Sequence, residues 1–189
     1  MFLKPRSSII HQHETIQIPP ESTDVHHEVE LVLLIGKKTH RIPSTDALAS
    51  VAAFTVGIDL TARDLQSQAK ENGLPWTLSK GFDTFAPVGS FVPFDPAAHD
   101  LTDMGLRLRV NGDLRQSDPT SLMIFPPAEL ISYLSHRFTL YPGDLIFTGT
   151  PKGVAQLQPG DVIEAELFKS EGEEHLSVLH HTVEDGKAF

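Results

Sequence analysis

The sequence predicts an α+β fold whose strands are largely antiparallel, with a few short helices. Three observations lead there. The apolar run Leu31-Val32-Leu33-Leu34-Ile35 and the alternating segment 53–61 both carry strand patterning. Asn111-Gly112, set between Leu106-Arg107-Leu108-Arg109-Val110 and Leu114-Arg115-Gln116, is the signature of a hairpin with a type I′ turn. Helical patterning is confined to short stretches, the longest near 61–72 and 126–136.

A chain of 189 residues can bury a sizeable core, and it reads as one domain over 1–189. The formal charge of −10 and pI near 5.4, with no Lys/Arg cluster to offset them, argue against a nucleic-acid partner. No apolar run is long enough to cross a bilayer, so no membrane span is expected. Met1-Phe2-Leu3-Lys4-Pro5 lacks the charged head and apolar stretch of a signal peptide, which makes a cytoplasmic protein the expectation. Without cysteine there is no disulfide, thiolate metal site or Cys nucleophile.

Taken in order, Phe2-Leu3-Lys4-Pro5 reads as the tail of a strand. Residues 7–17 form a polar connection. Within it His11 and Glu14 have the i, i+3 spacing of a helical acid/base pair, but the prolines at 5, 19 and 20 bracket a segment too short and β-branched for a helix, so a solvated loop is expected. His26-His27-Glu28-Val29-Glu30 then opens the most apolar run in the chain. Strand alternation points Glu28 and Glu30 the same way, and two carboxylates forced together call for a proton or a hard cation. The other reading is an exposed strand end with both Glu in water.

Ser44 or Asp46 is expected to cap a short helix at 47–49. From 53 to 61, Phe54, Val56, Ile58 and Leu60 share one face, and Ala53, Thr55, Gly57, Asp59 and Thr61 the other. That small, polar face leaves room for a ligand, with Asp59 at its end as ligand or as cap of the helix that follows. Trp76, Phe82 and Phe85 mark a long aromatic loop, which is either functional or a satellite hydrophobic cluster. A helix over 126–136 places Leu130, Ile131 and Leu134 on one face. Tyr141-Pro142-Gly143-Asp144 and Gln158-Pro159-Gly160-Asp161 are the same tight turn used twice, each feeding a strand. Between them, Thr148-Gly149-Thr150-Pro151-Lys152-Gly153 is a loop whose amides and hydroxyls suit an anionic group. The acidic, weakly alternating tail after 170 is expected to form a last edge strand and a loose end.

Together these stretches resemble the fumarylacetoacetate hydrolase superfamily, in particular its small single-domain acylpyruvate hydrolases and oxaloacetate decarboxylases. The resemblance rests on Phe2-Leu3-Lys4-Pro5, His26-His27-Glu28-Val29-Glu30, Asp59-Leu60-Thr61-Ala62-Arg63-Asp64, Leu74-Pro75-Trp76-Thr77-Leu78-Ser79-Lys80, Val110-Asn111-Gly112 and the 148–154 loop, in that order and spacing. It implies a mixed, largely antiparallel β-roll, usually a homodimer, that holds Mg²⁺ or Mn²⁺ through Glu28, Glu30 and Asp59. Ca²⁺ also suits three carboxylates. It further implies Lys80 as the catalytic cation facing the substrate, Arg63 and Gln66 as substrate contacts, and Thr150 as a hydroxyl closing the pocket. The implied activity is cleavage of a carbon–carbon bond in a small 2-oxo acid, by acylpyruvate hydrolysis or oxaloacetate decarboxylation.

Members of this branch carry, upstream of Phe-Leu-Lys-Pro, a segment whose His and Glu activate the hydrolytic water, and this chain begins after it. His11 and Glu14 lie downstream of Pro5 and are not given that role. The expectation is therefore a chain that lacks part of its pocket wall and loses hydrolysis more than decarboxylation, with His11, His13 and His27 the first substitutes to test. The alternative is a metal-binding dimer without catalysis.

Overall fold

The computed structural model describes residues 1–186. Short strands β1 (Ile9–Ile10), β2 (Ile16–Ile18) and β3 (Val25–His27) lead into the long pair β4 (Val29–Ile35) and β5 (Val51–Ile58), followed by β6 (Thr61–Ala62), β7 (Ala86–Pro87) and β8 (Val92–Pro93). The second half carries β9 (Met104–Val110), β10 (Asp113–Pro119), β11 (Leu145–Phe147), β12 (Ala155–Gln156), β13 (Val162–Lys169) and β14 (His175–Asp185). Helices α1 (Ser44–Ala47), α2 (Arg63–Glu71), α3 (Thr77–Lys80) and α4 (Pro127–Ser135) are all short. The fold is mixed α+β and mostly antiparallel, as the sequence predicts.

Two sheets build the core. One runs β11-β4-β5-β8 and the other β10-β9-β13-β14-β2, with β5 lying against β13 and β14, and β4 against β9. Leu31, Leu33, Phe54, Val56 and Ile58 from the first meet Leu106, Leu108, Ile163, Ala165 and Leu167 from the second in one continuous cluster. β4 is buried along both faces, which is why its sequence is a solid apolar run. The hairpin forms as expected, with Asn111 and Gly112 at φ 55° and 82°. Both Pro-Gly-Asp turns repeat one geometry: Asp144 accepts the Tyr141 amide and Asp161 the Gln158 amide.

Several expectations are corrected. The small face of β5 is not ligand space. Thr55 lies 2.8 Å from the Ser177 hydroxyl of β14 and donates to the Ser90 carbonyl, and Gly57 is hemmed in by Val32, Phe147 and Pro87, so small residues here let backbones approach closely. Neither Ser44 nor Asp46 caps α1; Pro43 occupies the cap position without a side-chain bond. Phe2-Leu3-Lys4-Pro5 is not a strand but an extended lead into a 3₁₀ turn at Arg6–Ser8. β14 is an edge strand over most of its length, and β2 adds to it in parallel over Val183–Asp185. The loose end expected of the tail falls partly on 187–189, outside the described residues. Phe85 is fully buried and Phe82 packs against it at 5.3 Å between ring centroids, so that part of the aromatic loop is core.

Candidate active site

Antiparallel pairing explains why three carboxylates meet. Val29 pairs with Ile58 and Glu30 with Gly57, and the Asp59 amide donates to the Glu28 carbonyl at 2.8 Å, so the start of β4 and the end of β5 are side by side. Glu28 sits in the break between β3 and β4, Glu30 on β4, and Asp59 one residue beyond β5. Carboxylate oxygens of all three lie within 4.8 Å of one another, and all three residues are buried. The exposed strand end is thereby excluded for Glu28 and Glu30. Helix capping is excluded for Asp59, since α2 starts after Ala62 with no side-chain cap.

Three cations surround the carboxylates and are engaged differently. Lys80, buried at the end of α3, donates to Glu28 Oε2 at 3.0 Å and Asp59 Oδ2 at 2.6 Å, and its ammonium stands 4.7 Å from the centroid of the Phe2 ring. An ammonium has three N–H groups, so one remains for a ligand. Lys4 has none left. Its three bonds go to the carbonyls of Leu60, Lys80 and Phe85, while its charge sits 2.7 Å from Asp59 Oδ1, which receives no hydrogen bond. Burial lowers the Lys4 pKa despite Asp59 beside it. Arg63 donates to Glu28 Oε1 at 2.6 Å and to Gln66 Oε1 at 2.8 Å, keeping further N–H groups free. Gln66 thus steadies Arg63.

The carboxylates do not titrate alike. Burial works against ionising Glu28, but Lys80, the Thr61 hydroxyl and Arg63 outweigh it and hold the carboxyl below its ordinary range. Glu30 makes no ion pair among the described residues. Burial first, and then the Asp59 and Glu28 charges, push it up to about 8, against a bond from the Gly149 amide at 2.7 Å and the weaker pull of the Lys80 charge. Glu30 therefore holds a proton at neutral pH unless a cation replaces it. A buried, all-oxygen set of three carboxylates, with the Glu30 pKa raised by burial, fits a hard divalent ion and offers nothing to a soft one.

The 148–153 loop binds no outside anion with its Gly149 amide, which is spent on Glu30. The Thr148 amide makes the last backbone bond to β4, to the Leu31 carbonyl at 3.2 Å, and the hydroxyls of Thr148 and Thr150 donate to the carbonyls of Leu31 and Val29 at 2.8 Å each. With its proton committed and the Gln116 amide donating to it at 2.8 Å, Thr150 keeps one acceptor lone pair. His11 and Glu14 do not reach the carboxylates: Glu14 accepts the His11 backbone amide in an exposed turn. His27 is buried beside Glu28 and donates from Nδ1 to Gln116 Oε1, and burial lowers its pKa.

Sequence reasoning named Glu28, Glu30, Asp59, Arg63, Gln66, Lys80 and Thr150; the structure brings the first six together and joins Thr150 to them only through Gln116 and the Val29 backbone. It missed Lys4, Thr61 and Gln116. Lys4 lay within a stretch that carried the family resemblance, which was the available signal. Gln116 gave none beyond its place after the Asn-Gly turn.

Comparison with known proteins places the chain in a family by sequence and by fold. The family model described as fumarylacetoacetate (FAA) hydrolase C-terminal matches residues 1–184. A mitochondrial oxaloacetate decarboxylase of Dictyostelium discoideum is 48% identical over 167 residues, covering 88% of this chain and 76% of that protein. The mitochondrial oxaloacetate tautomerase FAHD1 of Arabidopsis thaliana is 46% identical over 167 residues, covering 88% and 74%. Among solved structures, fumarylpyruvate hydrolase from Pseudomonas aeruginosa in complex with Mn²⁺ and pyruvate superposes with a TM-score of 0.88 at 34% identity, covering 98% of this chain and 78% of that one.

Proposed function

Since the chain belongs to the fumarylacetoacetate hydrolase family, we propose that it is a divalent-metal-dependent enzyme that breaks a carbon–carbon bond in a small 2-oxo acid. The observation that carries this reading is the convergence of Glu28, Glu30 and Asp59 within 4.8 Å. These three would hold Mg²⁺ or Mn²⁺, with Ca²⁺ also compatible, and the relative solved with Mn²⁺ and pyruvate supports that choice. The ion, when bound, supplies Lewis-acid stabilisation of an enolate oxygen.

Formal charge favours a dianionic ligand. Lys4, Lys80 and Arg63 balance the three carboxylates when all are ionised, so a divalent ion leaves the centre at +2. A 2-oxo acid answers with its carboxylate and the enolate that develops as the bond breaks. Lys80 is the catalytic cation, because its remaining N–H can follow the developing charge whereas those of Lys4 are all committed. Arg63, steadied by Gln66, faces the substrate carboxylate, and Thr150 accepts from a ligand O–H. In oxaloacetate decarboxylation the C3–C4 electron pair passes into the enolate, carbon dioxide leaves, and C3 is then protonated. Acylpyruvate hydrolysis, in which water adds to the distal carbonyl and the acyl group leaves as a carboxylic acid, releases the same pyruvate enolate. A keto–enol proton shift, in which C3 of the intact 2-oxo acid loses a proton and the resulting enolate is reprotonated on oxygen with no carbon–carbon bond broken, is the second reading, favoured by the relative named as an oxaloacetate tautomerase. We also expect a homodimer; exposed Leu122, Ile124 and Phe125 offer apolar surface to a second copy.

The test is an assay of the Mn²⁺-loaded chain with oxaloacetate and with an acylpyruvate, subtracting the metal-only rate. Lys80→Met should lower kcat about 10²- to 10³-fold, the usual effect of removing one transition-state donor. Turnover no faster than free Mn²⁺, or an unchanged Lys80→Met, would overturn the assignment.

A further inference from the structure

We propose that Gln116 is a positioning residue that fixes the spacing of Glu28 and Glu30 by clamping the peptide of Val29 between them. The inference rests on the metal reading above.

Gln116 lies on β10, a strand otherwise turned largely to solvent, yet it is almost fully buried. A β-bulge makes this possible. Leu114 pairs with Arg109 and Gln116 with Leu108, so Arg115 is the extra residue, and the bulge re-aims Gln116 toward the neighbouring sheet. Its amide is then fully used. Oε1 accepts from His27 Nδ1 at 2.9 Å and from the Val29 amide at 3.1 Å, while Nε2 donates to Thr150 Oγ1 at 2.8 Å and to the Pro151 carbonyl at 2.9 Å.

The consequence is a closed ring. Gln116 takes the Val29 N–H, Thr150 takes the Val29 C=O, and Gln116 donates to Thr150. Two side chains thus stand in for the backbone partner that β4 lacks on this edge, at the one residue separating the two glutamates. The same clamp seats the loop that holds Glu30 through the Gly149 amide. Gly153 shows how closely that loop is applied: a Cβ there would collide with the Arg115 carbonyl at the bulge. The uncharged carboxamide of Gln supplies two acceptor bonds and two donor bonds at one terminus, one of each closing the ring and the others holding His27 and Pro151.

The test uses Gln116→Met, close in size and unable to make any of the four bonds. Calorimetric titration with Mn²⁺ should show affinity about 10- to 100-fold weaker, the range for losing a group that orients metal ligands. In the metal-free protein, the Val29 amide should exchange with deuterium faster than in the unsubstituted chain. Thr150→Val opens the same ring from the other side, so Gln116→Met with Thr150→Val should cost less than the two separately. Ser177→Ala breaks a buried polar contact between the sheets, away from the clamp, and should leave Mn²⁺ affinity within about twofold; this separates positioning from general loosening. If Gln116→Met does not fold, Thr150→Val alone must show the weaker affinity. Affinity within twofold of the unsubstituted chain in these variants overturns the proposal. Absence of Mn²⁺ binding by the unsubstituted chain refutes the metal reading instead, and the proposal with it.

Discussion

Replacing Glu30 with Gln should stabilise the metal-free protein by an amount that depends on pH. The carboxyl is raised to about 8 by burial and by Asp59 and Glu28, against 4.5 when it is free. A raised carboxyl means that the folded state holds the proton more tightly, so this contribution to stability is complete below about 4.5 and is lost as pH rises through 8. At 1.36 kcal/mol per pH unit, the loss is about 3 kcal/mol by pH 7 and about 5 kcal/mol above pH 8. Gln keeps the acceptor for the Gly149 amide and never ionises. Urea unfolding in chelator should therefore give Glu30→Gln and the parent similar stability at pH 4.5, and a gap that widens to about 5 kcal/mol at pH 9. Parallel stability curves across that range would refute the placement of Glu30 as an uncompensated buried acid.

Lys4→Met removes the partner of Asp59 and strands the carbonyls of Leu60 and Lys80, so it should cost about 3–5 kcal/mol in urea unfolding. Mn²⁺ at a hundredfold excess over its Kd should stabilise the parent by about 2.7 kcal/mol, and Asp59→Asn by much less, read from the shift in urea midpoint. Asn111→Ala places a Cβ without polar compensation at φ 55° and loses the bonds to Asp161 and the Val162 amide. It should cost about 1–2 kcal/mol by the same measurement.

What could be read from the sequence was what has a short period. Alternation along one strand is a local property, so Glu28 and Glu30 could be placed together, and Asn111-Gly112 announced its hairpin. Asp59 stood undecided between ligand and cap because that choice depends on which element lies across from it, and only the β4–β5 register settles it. The small face of β5 misled because tight backbone packing and ligand space ask for the same residues. Gln116 was hidden by a single extra residue in β10, which moves a polar side chain from solvent to the site without changing the local pattern. Lys4 was hidden because its partners lie between 55 and 81 residues away, and an isolated lysine carries no periodic signal.

The central claim is that Glu28, Glu30 and Asp59 form one cation site from which a metal displaces the proton of Glu30. Titration of Mn²⁺ by calorimetry in buffers of different ionisation enthalpy tests it directly, because it counts ions and protons together. The expected result is one ion per chain with nearly one proton released at pH 6.5, falling toward zero by pH 9, and no such binding in Glu30→Gln or Asp59→Asn. Binding that releases no proton at pH 6.5, or that survives both substitutions unchanged, would contradict it.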